Sequence, residues 1–117
     1  MSARVLVAKE LGSLFSCLSH PDRIRIIEEL AKGEKDVMTL AASLNISQSR
    51  ASQHLAKLRS LRLVEDRTEN KFHYYHLVEP VLAKWILQGL DFTELRLVGS
   101  KEFDKAIVKA TKKWNKD

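Results

Sequence analysis

The sequence predicts a mainly helical domain carrying one small β-hairpin, and three observations lead there. Apolar residues recur at helical spacing over most of the 117 residues. The period changes once, between Val64 and Val78, where the β-formers Val64, Thr68, Phe72, Tyr74, Tyr75 and Val78 gather around Glu69-Asn70-Lys71. The two prolines, Pro21 and Pro80, each stand where a helix opens, and there are no internal repeats or Pro/Gly/Ser-rich linkers.

A first amphipathic helix over about residues 4–18 follows from Val7, Leu11, Leu14, Phe15 and Leu18. Pro21, with its preset φ, begins a second helix that turns Ile24, Ile27, Leu30 and Ala31 inward, and Gly33 stands where a helix terminates. Asp36 caps a short third helix containing Met38, Leu40, Ala41 and Leu44. Asn45 tolerates the left-handed conformation that turns a chain sharply, and Ser47 caps a fourth helix reaching about Ser60. Two short helices meeting across a tight turn form a helix-turn-helix, and the hairpin that follows is a wing. Pro80 opens a fifth helix, Glu79 to about Leu95, whose Val81, Leu82, Trp85, Ile86, Gly89 and Leu90 form a broad packing seam. The last segment places Phe103, Ala106, Ile107, Ala110 and Trp114 on one face, with Lys101, Lys105, Lys109, Lys112 and Lys113 on the other. The expected division is residues 1–98 as the winged helix-turn-helix domain and 99–117 as an amphipathic C-terminal helix.

The formal charge of +5 is uneven. Residues 1–46 carry six basic and six acidic side chains, residues 47–78 six and three, and residues 79–117 eight and six. From Ser47 to Val64 there are Arg50, Lys57, Arg59 and Arg62 and no acid. On a helical wheel Ala51, Leu55 and Leu58 form a buried ridge, opposite Ser49, Gln53, Ala56 and Ser60. Arg50, Ser52 and Lys57 flank that outer face, which suits a DNA major groove. Gln pairs with adenine, Ser reaches several base edges, Ala meets a thymine methyl, and the flanking cations meet phosphates. The amides near Ser47 and Gln48 add a phosphate site at the helix N-terminus. His54, about 60° from the ridge, divides between half-buried packing and a DNA contact. At the wing Arg67 and Lys71 flank the tip, while Glu65, Asp66 and Glu69 oppose deep insertion. Tyr74 and Tyr75 read as packing residues on opposite faces.

Other classes fall away. Cys17 is the single cysteine, so no intrachain disulfide forms and a reducing cytoplasm suits the chain. No apolar run has the length of a membrane span, and Val5-Leu6-Val7-Ala8 stops at Lys9-Glu10, too short for a signal-peptide core. A Gly-rich phosphate loop, a ligand-spaced Cys/His/carboxylate set and a nucleophile–base pair are all missing, so no enzyme is expected. Cys17 and His20, three apart, are the one remaining metal seed. Cys17 is also the one redox candidate, against the commoner reading of a small buried residue. His73 and His76 alternate across a strand without converging.

Several segments resemble the ArsR/SmtB family of bacterial and archaeal repressors. Leu18-Ser19-His20-Pro21-Asp22-Arg23-Ile24-Arg25-Ile26-Ile27 is similar to the opening of that family's second helix. Leu44-Asn45-Ile46-Ser47-Gln48-Ser49-Arg50-Ala51-Ser52-Gln53-His54-Leu55 resembles its turn and recognition helix. Leu61-Arg62-Leu63-Val64 and Phe72-His73-Tyr74-Tyr75-His76-Leu77 resemble the approach to the wing and its second strand. Together they cover roughly residues 14–78, in the family's order and spacing. The resemblance implies a homodimeric winged helix-turn-helix repressor on double-stranded, pseudo-palindromic operator DNA, paired through its first and fifth helices. Leu11, Leu14, Phe15, Val81, Leu82, Trp85 and Ile86 are the pairing candidates. Ser47, Gln48, Ser49, Ser52, Gln53 and His54 match the recognition segment and are carried over as DNA-facing, beside Arg50 and Lys57. In the wing Asn70 replaces the family's usual glycine, next to Lys71.

The family's metal sites do not carry over. Asp36 and Met38 fill the two cysteine positions of thiol-sensing members, and the fifth helix has no His for the Asp-x-His…His-x-x-Glu site. The persulfide switch of some members needs a second thiol. No metal or cofactor is therefore expected, and the effector is left open. The competing reading is a winged-helix protein–protein module with an incidental basic face; the small polar face from Ser49 to Ser60 favours DNA.

Overall fold

A computed structural model describes residues 1–97 and 99–114, with side chains through residue 110 apart from Val98. In chain order the elements are α1 (Ala3–Cys17), α2 (Pro21–Leu30), β1 (Lys35–Asp36), α3 (Val37–Leu44), α4 (Gln48–Ser60), β2 (Val64–Glu69), β3 (Phe72–Leu77), α5 (Val81–Gln88), α6 (Leu90–Leu97) and α7 (Lys101–Trp114). They fall into two compact units, Met1–Glu79 and Pro80–Asp117.

Helix starts in the first unit are capped by side chains that offer an acceptor to amides with no intrahelical partner. Ser2 Oγ accepts from the Val5 amide, His20 Nδ1 from Asp22, Asp36 from Thr39 and Ser47 Oγ from Arg50. The Thr39 hydroxyl also donates to Asp36 and holds its carboxyl below the usual range.

The core gathers Ile26, Ile27 and Leu30 of α2, Leu40, Ala41 and Leu44 of α3, Ala51, Leu55 and Leu58 of α4, and Val64, Tyr75 and Leu77 of the sheet. Cys17 and Leu18 close it at the end of α1. The inward face of α2 differs from the expected one. Ile24 is half-buried and Ala31 exposed, because Ala31 is already the helix's C-cap and Ile26 takes the inner position.

The sheet has the order β1-β3-β2, all antiparallel. β2 and β3 pair from Val64 with Leu77 to Glu69 with Phe72, leaving the two-residue turn Asn70-Lys71. Asn70 there has φ 58°, the left-handed conformation for which glycine or asparagine is favoured. β1 adds Lys35 opposite Tyr75 and Asp36 opposite Tyr74, a strand too short and too polar to show a period in the sequence.

In the second unit the expected fifth helix is two. Gly89 terminates α5, its amide donating to the Ile86 and Leu87 carbonyls, and α6 begins at Leu90. Glycine's weak helix propensity accounts for a break there. Ala83 is buried, Leu82, Ile86 and Leu90 are half-buried, and Val81 and Trp85 are exposed. On α7 Phe103, Ile107 and Ala110 are half-buried, whereas Ala106, Lys101, Lys105 and Lys109 are exposed. The expected face also named Lys112, Lys113 and Trp114, whose side chains lie outside the described residues.

Candidate nucleic-acid interface

Two turns aim α4. Before it, Asn45 takes φ 57°, ψ 48°, and the Ile46 amide donates back to the Ala41 carbonyl at 3.0 Å. After it, Leu63 and Arg62 donate to the carbonyls of Leu58 and Arg59 at 3.0 and 2.9 Å, with Arg62 left-handed at φ 60°. Between these clamps Ala51, Leu55 and Leu58 are wholly buried. Gln48, Ser49, Arg50, Ser52, Gln53, Ala56, Lys57, Arg59 and Ser60 are exposed, as is the cap Ser47. One helix face is thus anchored and the other offers short polar groups near its start and cations further along.

His54 does not share the outer face. It is 9% exposed, its Nδ1 accepts from Arg23 Nε at 3.2 Å, and its Nε2 lies 3.4 Å from Asp22 Oδ2. Of the two readings of His54, the buried ring fits packing rather than a DNA contact: its position beside the ridge turns it inward onto α2. Burial first, then the neighbouring His20 and Arg23, hold its pKa below the ordinary histidine value. Arg23 also donates to the Cys17 carbonyl at 2.9 Å, and Asp22 Oδ2 accepts from Arg50 at 2.7 Å. This network ties the end of α1, the first turn of α2 and the recognition helix together. Arg25 adds a second tie, donating to the Ser43 and Leu44 carbonyls at 3.3 Å.

The wing is charge-matched along its length. Arg67 donates to Glu34 at 2.6 Å and Glu69 at 2.7 Å, and its guanidinium lies 4.8 Å from the Tyr74 ring centroid. The same bond holds the Glu34 carboxyl below its usual range. Arg67 was expected as a wing contact with DNA. In the structure its charge is paired with two carboxylates within the protein, because β1 and its loop bring Glu34 alongside. Asp66 accepts from Arg59 at 3.1 Å and pairs with His73 at 2.5 Å, and this His73 bond leads in lowering its pKa. His76 stands near Glu34 and Glu65, so the two histidines serve separate carboxylates. Asn70 and Lys71 remain exposed at the tip. Tyr75 is buried and Tyr74 half-buried, on alternate faces as expected.

Comparison with known proteins decides what this scaffold is. Residues 20–66 match the family model "Bacterial regulatory protein, arsR family". A biofilm growth-associated repressor of Agrobacterium fabrum is 39% identical over 79 residues, 68% of each chain. The chain belongs to the ArsR family. A transcriptional repressor SmtB homologue of Synechocystis is likewise 39% identical over 72 residues, 62% of this chain, but the match spans only 54% of that protein. Among solved structures, NolR from Sinorhizobium fredii superposes with a TM-score of 0.69 at 32% identity, covering 80% of this chain and 93% of that one. A homodimeric winged helix-turn-helix DNA-binding domain from Mycobacterium bovis gives 0.69 at 25% identity, covering 80% and 88%.

The positions at which thiol-sensing ArsR-family members carry cysteines are used otherwise here. Asp36 caps α3 and Met38 is exposed, so they do not form a metal-binding pair. Among the described residues one other group gathers donors, His20, Asp22 and His54, with ligand atoms within 4.8 Å of one another. Each member already accepts a hydrogen bond. His20 Nδ1 accepts the Asp22 amide, His54 Nδ1 accepts Arg23, and Asp22 accepts Arg50. Two guanidinium cations beside it oppose a third cation, so the group fits a hydrogen-bonded clamp better than a metal site. Cys17, the redox candidate, is fully buried with Sγ 3.7 Å from the Lys57 carbonyl. A reactive thiol needs exposure, so the burial supports the commoner reading, a small core residue, over the redox candidate. Of the ArsR-family pairing candidates, Leu11, Phe15, Val81 and Trp85 are 46%, 53%, 62% and 43% exposed, and Leu14, Leu82 and Ile86 are half-buried.

The sequence reading missed Asp22 as part of the site. Its only local signal was an acid in the first turn of a helix, and the partner it serves, Arg50, lies 28 residues away.

Proposed function

We propose that this ArsR-family chain is a homodimeric, sequence-specific transcriptional repressor acting in the cytoplasm of a bacterium or archaeon on a pseudo-palindromic operator, with no metal in its sensor. The observation that supports this best is the outer face of α4, where Ser49, Ser52, Gln53 and Ala56 are exposed over a fully buried Ala51–Leu55–Leu58 ridge. A face of small polar groups enters a major groove without steric conflict, and Gln53 has the amide that pairs with adenine N6 and N7. Arg50 and Lys57 meet phosphates on either side, and Lys71, with Asn70, reaches the backbone beyond the wing tip. Pairing follows the M. bovis neighbour, a homodimer, and uses the exposed apolar side chains of α1 and of α5.

The test is retardation of the duplex upstream of the protein's own gene, repeated across salt concentrations. Several phosphate contacts give log K falling steeply with log salt. A flat slope with no retarded complex refutes the proposal. For pairing, Trp85→Asp is expected to halve the sedimentation mass; an unchanged mass places the dimer seam elsewhere.

A further inference from the structure

We propose that Asp22 is a positioning residue for DNA binding: its carboxylate holds the Arg50 guanidinium on the recognition helix in the orientation that meets a phosphate. The inference rests on the repressor reading and adds a residue that lies off the recognition helix. Asp22 sits in the first turn of α2, behind Pro21, its side chain 14% exposed. Arg50 sits in the first turn of α4, its side chain 56% exposed. Their bond runs from Nη2 to Oδ2 at 2.7 Å. It takes one edge of a planar fork that has five donors, leaving others for a phosphate oxygen.

The carboxylate is itself held. The same Oδ2 lies 3.4 Å from His54 Nε2, and the orientation of that ring is fixed by Arg23, which also grips the Cys17 carbonyl. Because Arg23 donates to His54 Nδ1, the neutral ring carries its proton on Nε2, facing Asp22. The chain of contacts therefore runs from the core through His54 and Asp22 to an exposed cation. A long arginine side chain otherwise loses rotamer freedom on meeting a phosphate, and here that freedom is already restricted in the unbound protein.

An alternative use of the same contact is masking, in which Asp22 competes with DNA for Arg50. The geometry favours positioning. Asp22 is recessed, its charge is opposed by Arg50, and it lies at the positive end of α2. Little of its field is left to repel a phosphate.

The test is a double-mutant cycle on the full chain, read by fluorescence anisotropy on the upstream duplex. Asp22→Asn is expected to weaken binding roughly three- to tenfold with an unchanged salt slope. In an Arg50→Ala background the same change is expected to alter affinity less than twofold, and Arg50→Ala alone to lower the slope by about one. Arg50→Lys, which leaves the fold's interior untouched, keeps the slope and loses about as much affinity as Asp22→Asn, since an ammonium lacks the second arm. Equal losses in both backgrounds assign Asp22 to the fold alone and overturn the proposal. Tighter binding by Asp22→Asn shows masking and overturns it too, as does wild-type affinity in Arg50→Lys. If the unaltered protein gives no complex, the repressor reading itself fails; if it binds and the cycle is additive, only this inference does.

Discussion

Replacing His54 by alanine separates a keystone of the fold from a reader of DNA. The ring is buried at 9% exposure, accepts from a charged donor at 3.2 Å and lies 3.4 Å from Asp22. A hydrogen bond to a charged group contributes about 1.5–3 kcal/mol, the longer contact to Asp22 at most about 1, and the vacated ring volume adds a cavity cost. The loss stops short of that for a buried ion stripped of its only partner. Arg23 keeps the Cys17 carbonyl and Asp22 keeps Arg50. The expected destabilisation is about 2–4 kcal/mol. At about 0.05–0.15 kcal/mol per residue, the unit Met1–Glu79 is stable by only about 4–12 kcal/mol, so the loss is a large share of the whole. Thermal unfolding followed by circular dichroism is expected to show a midpoint about 8–30 °C lower. Below that midpoint, the order of preference among operator variants stays that of the parent. A midpoint shift under about 2 °C together with a changed base preference would falsify the inward placement of His54.

The same residue gives stability a pH dependence. Its pKa is lowered on folding, so the unfolded chain binds the proton more readily; its contribution is complete above about pH 6.5 and is lost as pH falls through the folded value. Urea unfolding at pH 7.5 and pH 5 should show a smaller stability difference in His54→Gln than in the parent, and equal differences remove His54 as the cause. On α4, Gln53→Ala is expected to relax base preference with stability within about 0.5 kcal/mol, while Lys57→Ala weakens every sequence alike. Anisotropy on a panel of operator variants distinguishes them, and identical effects would dissolve the division of roles. In the wing, Lys71→Ala should lower the salt slope by about one and Arg67→Ala should leave it unchanged, because Arg67 is committed to Glu34 and Glu69. A slope lowered by Arg67→Ala would place that side chain on the DNA. Arg62→Gly should raise the urea midpoint, since a left-handed non-glycine costs about 1 kcal/mol or more and glycine's extra unfolded freedom returns only part of it. A lower midpoint would show that the Arg62 side chain stabilises the fold by more than its backbone strain costs.

Most of the helix-turn-helix was legible because its signals are local. Asp36 and Ser47 cap within three residues, Asn45 turns within its own φ and ψ, and the Ala51–Leu55–Leu58 spacing sets the buried side of α4 without reference to any other element. The hairpin's turn at Asn70-Lys71 was legible for the same reason. Less local features escaped. β1 has two residues and exists only because β3 offers it an edge, and the break at Gly89 was hidden inside an otherwise regular apolar stripe. On α2, Ile24 and Ile26 are both apolar, and only the packed partners select Ile26.

By itself the sequence determined the order of the first four helices and the hairpin, the outward small-polar face of α4 and the mismatch with the family's metal sites. Each follows from side-chain identity at fixed spacing. The tertiary structure decided how each charge is paired within the protein. Arg50 and Arg67 are the same residue type, both read as DNA contacts, yet one is buttressed by a single recessed carboxylate and the other is held by two. It also turned His54 inward and buried Cys17. Those outcomes depend on partners 28 and 33 residues away for the arginines and 31 for His54. Side-chain electrostatics is set by distance in space, and a sequence records distance only along the chain.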